Sequence, residues 1–212
     1  MIVAIDGPVG SGKSAVGRRV AERLGLPFVD SGLMYRAIAA VAAERGMPLD
    51  DGAALTRLAN SVKLRIDGRK VEVDGEDYTD RVYGPELSEA ASKVAKIAGV
   101  RLSLVAQQRA LGRNGVLMAG RDIGTVVFPD AAHKFFLTAG VGERARRRAR
   151  QIDARGEAAD PDQLAREVEE RDRRDSERSA SPMRPAEDAV IIETDDLDLE
   201  DVVDAVLAEI KP

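Results

Sequence analysis

Three glycines stand just ahead of a lysine and a serine in the run Gly7-Pro8-Val9-Gly10-Ser11-Gly12-Lys13-Ser14. Residues of these types at this spacing hold phosphate. Glycines let successive backbone N–H groups turn inward on an anion, Lys13 reaches the outer phosphates, and the Ser14 hydroxyl is an oxygen ligand suited to Mg²⁺. The predicted nucleoside triphosphate contacts are therefore Gly7, Pro8, Val9, Gly10, Ser11, Gly12, Lys13, Ser14 and Ala15. Two elements must position such a loop. The apolar stretch Met1 to Asp6 reads as the strand before it, and Ser14 to Leu24 as the helix after it. The N-terminal end of that helix carries positive potential toward the same anion.

Five short apolar runs read as buried parallel strands: Ile2–Ile5, Pro27–Asp30, Val116–Ala119, Lys134–Leu137 and Ala189–Glu193. Helical patterns separate most of them, so the fold class is α/β, a five-stranded parallel sheet flanked by helices. Ligands of such sheets sit beyond the carboxyl ends of the strands. That rule singles out the loop at Gly7, then Asp30-Ser31-Gly32, then Gly120-Arg121-Asp122. Between Val62 and Tyr83 the rhythm breaks. Val62, Leu64 and Ile66 alternate with polar residues, Asp67-Gly68 signals a turn, and Val71 and Val73 alternate again, which predicts a β-hairpin. Pro85 opens a helix to about Ala98, and a second is expected from Val100 to Gly112.

One globular domain is expected over residues 1–212. Its core occupies about 1–60, 113–142 and 157–212, an inserted lobe about 31–112 with the hairpin at 61–84, and a lid about 143–156. Asp160 is the expected N-cap of a long helix, with Pro161 at its first position and Gln163 completing a capping box. Once that helix runs, Arg171, Asp175 and Arg178 share one face.

Composition narrows the chemistry. Apolar residues make up 44% and charged residues 33%, enough for a core and a solvated surface. The absence of cysteine excludes disulfides and thiolate chemistry, and His133, expected in a loop, leaves little scope for histidine catalysis. Aromatics at 3% with no Trp argue against a base-stacking platform for single strands. The net charge of −5 argues against a nucleic-acid grip. Within 143–156, however, Arg144, Arg146, Arg147, Arg148, Arg150 and Arg155 face only Glu143 and Asp153. Such a concentration suits one small anionic ligand. The sequence has no signal-like segment and no apolar run long enough for a bilayer, so a cytoplasmic enzyme without a membrane partner is expected. A monomer is expected as well.

If the glycine loop holds a triphosphate, the acceptor remains to be identified. A hydroxyl acceptor needs a positioned base, whereas a phosphate acceptor is already anionic near neutral pH, its second pKa being about 6. Arginines are abundant and no dedicated base stands out, which favours a phosphate acceptor.

These residues resemble bacterial cytidylate kinase, a P-loop nucleoside monophosphate kinase. The resemblance rests on Ile5 to Ser14, on Asp30-Ser31-Gly32-Leu33-Met34-Tyr35-Arg36, and on the string Gly120 to Asp130. Glu170-Arg171-Asp172-Arg173-Arg174-Asp175 with Arg178 and Pro182 extends it over essentially the whole chain. The resemblance implies γ-phosphoryl transfer from Mg²⁺-ATP to CMP or dCMP. It places Ser31, Arg36 and Arg121 on the acceptor phosphate and Ser92, Arg101 and Asp122 on cytosine. Asp175 falls on the ribose, with Arg171 and Arg178 near the phosphate. A carboxylate at Asp122 accepts from the cytosine amino group, while Ser92 and Arg101 donate to N3 or O2. Lys13 and Arg121, with Arg146 and Arg150 clamping from one face of the lid, are the expected catalytic cations. P-loop kinases acting on AMP, UMP, shikimate or dephospho-coenzyme A differ only in the acceptor pocket. A nucleotide-binding switch and an Arg-rich nucleic-acid module with a P-loop are the non-enzymatic alternatives, and no N-K-x-D motif supports a GTPase.

Overall fold

A computed structural model of the protein describes residues 1–154, 156 and 159–210. Five parallel strands form the central sheet: β1 (Ile2–Asp6), β2 (Phe28–Asp30), β6 (Val116–Gly120), β7 (His133–Thr138) and β8 (Val190–Glu193). They lie in the order β2-β6-β1-β7-β8, so β1 is central and the loop it launches lies between the ends of β6 and β7. All five lie where the apolar runs predict. His133 opens β7 rather than sitting in a loop, facing Val3 in the register.

Alternation along β1 divides the core. Val3 and Ile5 pack with Val16 and Val20 of α1 (Lys13–Leu24) and with Val202, Val203 and Val206 of α8 (Leu199–Glu209). Ala4 faces the opposite layer, where α2 (Ser31–Glu44) joins α3 (Gly52–Ser61) and α5 (Ala98–Leu111). The predicted hairpin is present and longer. β3 (Leu64–Asp67) and β4 (Lys70–Val73) pair antiparallel, and β5 (Glu76–Asp77) adds a third strand. Leu64, Ile66, Val71 and Val73 of this lobe are buried in the same cluster as Met34 and Ile38 of α2. Lobe and core therefore share one apolar interior.

Helices after the hairpin differ in their ends from what the sequence predicts. α4 spans Pro85–Val94, short of Ala98, so that α5 starts at Ala98. α7 (Pro161–Glu177) begins as expected, with the Asp160 side chain accepting from the Asp162 and Gln163 N–H groups. The capping box is only half formed, because the Gln163 amide donates to Glu167 Oε1 at 2.9 Å instead of returning to Asp160. The predicted lid is mostly a regular helix, α6 (Val141–Asp153), and Arg155 lies outside the described residues.

Candidate active site

The glycine loop runs from the end of β1 into α1. Gly12 caps that helix with φ +87°, a left-handed conformation that β-carbon-bearing residues avoid, and no side chain occupies the first N–H groups. Gly7 is required for space: a β-carbon there would meet the Leu137 carbonyl oxygen at 2.1 Å. Lys13 Nζ donates to the Pro8 carbonyl at 2.8 Å and so lies folded along the loop. Burial, then the Arg121 guanidinium, lowers its pKa well below the usual lysine range. A buried ammonium beside like charges gains from an anion placed among them.

Ser14 Oγ donates to Asp30 Oδ2 at 2.7 Å, while Asp30 Oδ1 caps α2 by accepting from the Gly32 N–H. This hydroxyl–carboxylate pair at the loop mouth offers oxygen donors of the kind Mg²⁺ takes. No group of three or more metal-ligating side chains occurs among the described residues. A Mg²⁺ ion would then share its shell between these oxygens, phosphates and water, as this ion usually does.

Beyond β2 and β6 the expected acceptor residues come together. Arg36 on α2 and Arg171 on α7 both donate to the buried Ser88 hydroxyl of α4, Arg36 at 3.3 Å. Arg121 Nε donates to Asp175 Oδ2 at 2.9 Å. Burial would raise the Asp175 pKa, but Arg121, Arg171 and Arg178 together outweigh it and hold the carboxyl below its usual range. Burial, then Arg121, lowers Arg171. Ser31 differs from expectation in one respect: its hydroxyl is buried and donates to the Ala119 carbonyl at 2.9 Å, tying α2 to β6.

Of the residues expected at the base, Arg101 and Asp122 come together, while Ser92 is buried on α4. Asp122, 5% exposed, pairs through Oδ2 with Arg101 Nη2, and its Oδ1 lies 3.5 Å from Arg178 Nη2. Arg101 lies over the Tyr35 ring at 5.4 Å, and burial pushes the Tyr35 hydroxyl up to about 12. Several buried polar atoms of the expected site residues make no hydrogen bond within the protein: Ser92 Oγ, Arg101 Nε, Arg171 Nε and Arg178 Nη2, the last being only in ion-pair range of Asp122. Buried polar groups are normally satisfied, so these unmatched atoms are places where a ligand would complete the bonding.

Helix α6 corrects the expected clamp. Arg146 and Arg150 do share a face, but both turn to Glu143, at 3.1 Å each, and their side chains are 70% exposed. The structure does not bring them to the other cations. Arg148 takes that direction instead: its charge acts on both Arg36 and Arg171, and its Nε is buried without a partner. Arg144 is a brace, bonded to the carbonyls of Ala139 and Val9 and paired with Asp172 at 2.6 Å. Sequence reasoning missed Ser88, and only its tertiary position between two guanidiniums reveals it.

The cytidylate kinase family model matches residues 3–212. The chain belongs to the cytidylate kinase family. A cytidylate kinase of Pelotomaculum thermopropionicum is 47% identical over 98% of this chain and 95% of its own length. One from Geobacillus sp. is 45% identical over 97% and 94%. A bifunctional pantoate ligase/cytidylate kinase of Synechococcus sp. is 48% identical over 97% of this chain, which spans only 40% of that protein. Among solved structures, a shikimate kinase from Bacteroides thetaiotaomicron superposes with a TM-score of 0.51 at 15% identity over 99% of both chains. That likeness is one of fold alone.

Proposed function

We propose that this cytidylate kinase family member transfers the γ-phosphoryl group of ATP to CMP or dCMP, giving ADP and CDP or dCDP. The observation that carries the reading is the meeting of two sets of cationic groups at neighbouring strand ends. The glycine loop with Lys13 leaves β1, while Arg36, Arg121 and Arg171 gather beyond β2 and β6 within reach of one another's charge. Arg101 and Asp122 form a buried pair, and the equally buried Ser92 hydroxyl has no hydrogen-bond partner, which leaves these groups available to a base's hydrogen-bonding edge.

The chemistry follows from what these residues are. Phosphoryl transfer asks the protein mainly to align two anions and to stabilise charge spread over the moving group. Loop amides and Lys13 hold the donor phosphates. Arg36, Arg121 and Arg171 hold the acceptor phosphate, whose own oxygen is the nucleophile, so no protein base is needed. Arg148 is the α6 cation placed to stabilise the moving group. Mg²⁺, bound through Ser14 and Asp30, would supply charge neutralisation at the donor phosphates. Asp122 selects cytosine, because uracil would set a carbonyl oxygen against its carboxylate. We place the reaction in the cytoplasm, on free nucleotides and by a monomer; the acidic balance of −5 supports indifference to nucleic acid.

A coupled ADP-release assay with Mg²⁺-ATP tests the proposal, offering CMP, dCMP, UMP, AMP and no acceptor in parallel. Fast turnover with CMP and dCMP, slow turnover with UMP and near none alone is the expected pattern. A pyrimidine-blind response would overturn it.

A further inference from the structure

Asp6 ends β1 and immediately precedes the glycine loop, and none of the roles above uses it. The residue is 3% exposed. Oδ1 accepts the Ile123 N–H at 2.9 Å and Oδ2 accepts the Gly124 N–H at 2.8 Å. These are the first two amides of the π-helical turn Ile123–Val127, which follows Arg121 and Asp122 directly.

The opening N–H groups of a helical turn need acceptors, and the residue before the turn normally supplies one through its side chain. Here that residue is Asp122, and it makes no such bond. Its carboxylate is turned instead toward Arg101 and Arg178. Asp6 takes over the capping from the neighbouring strand, opposite Gly120 in the register. One carboxylate thus joins the strand end that launches the donor loop to the peptide that aims Arg121 and Asp122.

We propose that Asp6 is a positioning residue for the acceptor site: by capping the Ile123–Val127 turn in place of Asp122, it frees Asp122 to read the base and fixes Arg121 beside it. The proposal rests on the reading of Arg121 and Asp122 as acceptor contacts.

Charge around Asp6 is consistent with this. Burial pushes its pKa up to about 6, against the Gly124 and Ile123 amides, which favour the anion. Asp122 raises it further and Lys13 of α1 lowers it. On β7, Lys134 lies near Gly124 but directs its ammonium to Pro129 and Asp188.

Asp6→Asn keeps the shape while setting an NH₂ group against one of the two amides. The expected result is a rise of about tenfold or more in KM for CMP. The CMP-to-UMP ratio of kcat/KM should narrow by a similar factor, while the calorimetric Kd for ATP alone shifts less than about threefold. Unchanged CMP kinetics, or an equal loss of ATP affinity, would overturn the proposal. Should the variant not fold, the wild-type protein gives the answer by NMR. The Ile123 and Gly124 amide shifts should titrate together with the Asp6 carboxyl carbon, and amides that ignore that titration would also overturn it. This second readout does not depend on which acceptor the enzyme uses.

Discussion

Asp122 carries two loads at once, because one of its oxygens pairs with Arg101 and the other lies near Arg178. A cytosine amino group would add a donor to a carboxylate that still has lone pairs to offer. Replacing one oxygen by NH₂ in Asp122→Asn would leave a buried guanidinium facing a donor and remove the acceptor for cytosine. Each unpaired buried group costs roughly 1–3 kcal/mol, about fivefold to 150-fold in rate or binding. The expected outcome is a fall of about a hundredfold in kcat/KM for CMP. UMP should lose much less, since uracil presents an acceptor to the new amide. Steady-state kinetics with both acceptors measures the ratio. An unchanged ratio would mean that Asp122 does not read the base.

Elements decide which of many similar side chains matter, and α6 is the sharpest case. Five arginines fall between 144 and 150, so nearly every direction around the helix carries one, and spacing alone could not select among them. Packing does. Arg144 braces the glycine loop, Arg147 bonds to Thr194, Arg146 and Arg150 lie in solvent on Glu143, and Arg148 faces the cations. Arg148→Ala should therefore lower kcat about tenfold or more, as the loss of a charge acting on the transferring group does. Arg146→Ala and Arg150→Ala should stay within about threefold, because exposed ion pairs contribute about 0–1 kcal/mol. The reverse ranking would restore the clamp that spacing predicts. The same contrast explains what was legible in the sequence. The strands and the three polar motifs at their ends were, because buried parallel strands are continuous apolar runs and the site rule attaches to their carboxyl ends. Ser88 and Asp6 were not, since each acts through a partner far along the chain: Arg171 for one, Ile123 and Gly124 for the other.

At the scale of the whole molecule, the shared interior makes ligand binding a matter of overall stability. Leu104 of α5 and Val71 of the lobe are fully buried in the cluster that holds Ala4 of β1. The arginines proposed to hold the acceptor phosphate hang from α2, the β6–turn junction and α7, elements that this interior and its neighbours hold together. Crowding Lys13, Arg36 and Arg171 out of water costs free energy, seen in the lowering of all three by burial. An anion placed among them relieves part of that cost in the folded state only. At a hundred times its Kd a ligand adds about 2.7 kcal/mol to stability. For a chain of this size that is a rise of about 5–10 °C in Tm. CMP should therefore lift the melting temperature by that amount, in one transition for lobe and core together. Cytidine at the same concentration should give far less, because it reaches the base pocket but brings no charge to the cations. Differential scanning calorimetry separates the cases. Equal shifts with CMP and cytidine would mean that the base pocket, not the arginine cluster, supplies the binding energy. Two resolved transitions would mean that the lobe unfolds apart from the sheet despite the interior they share.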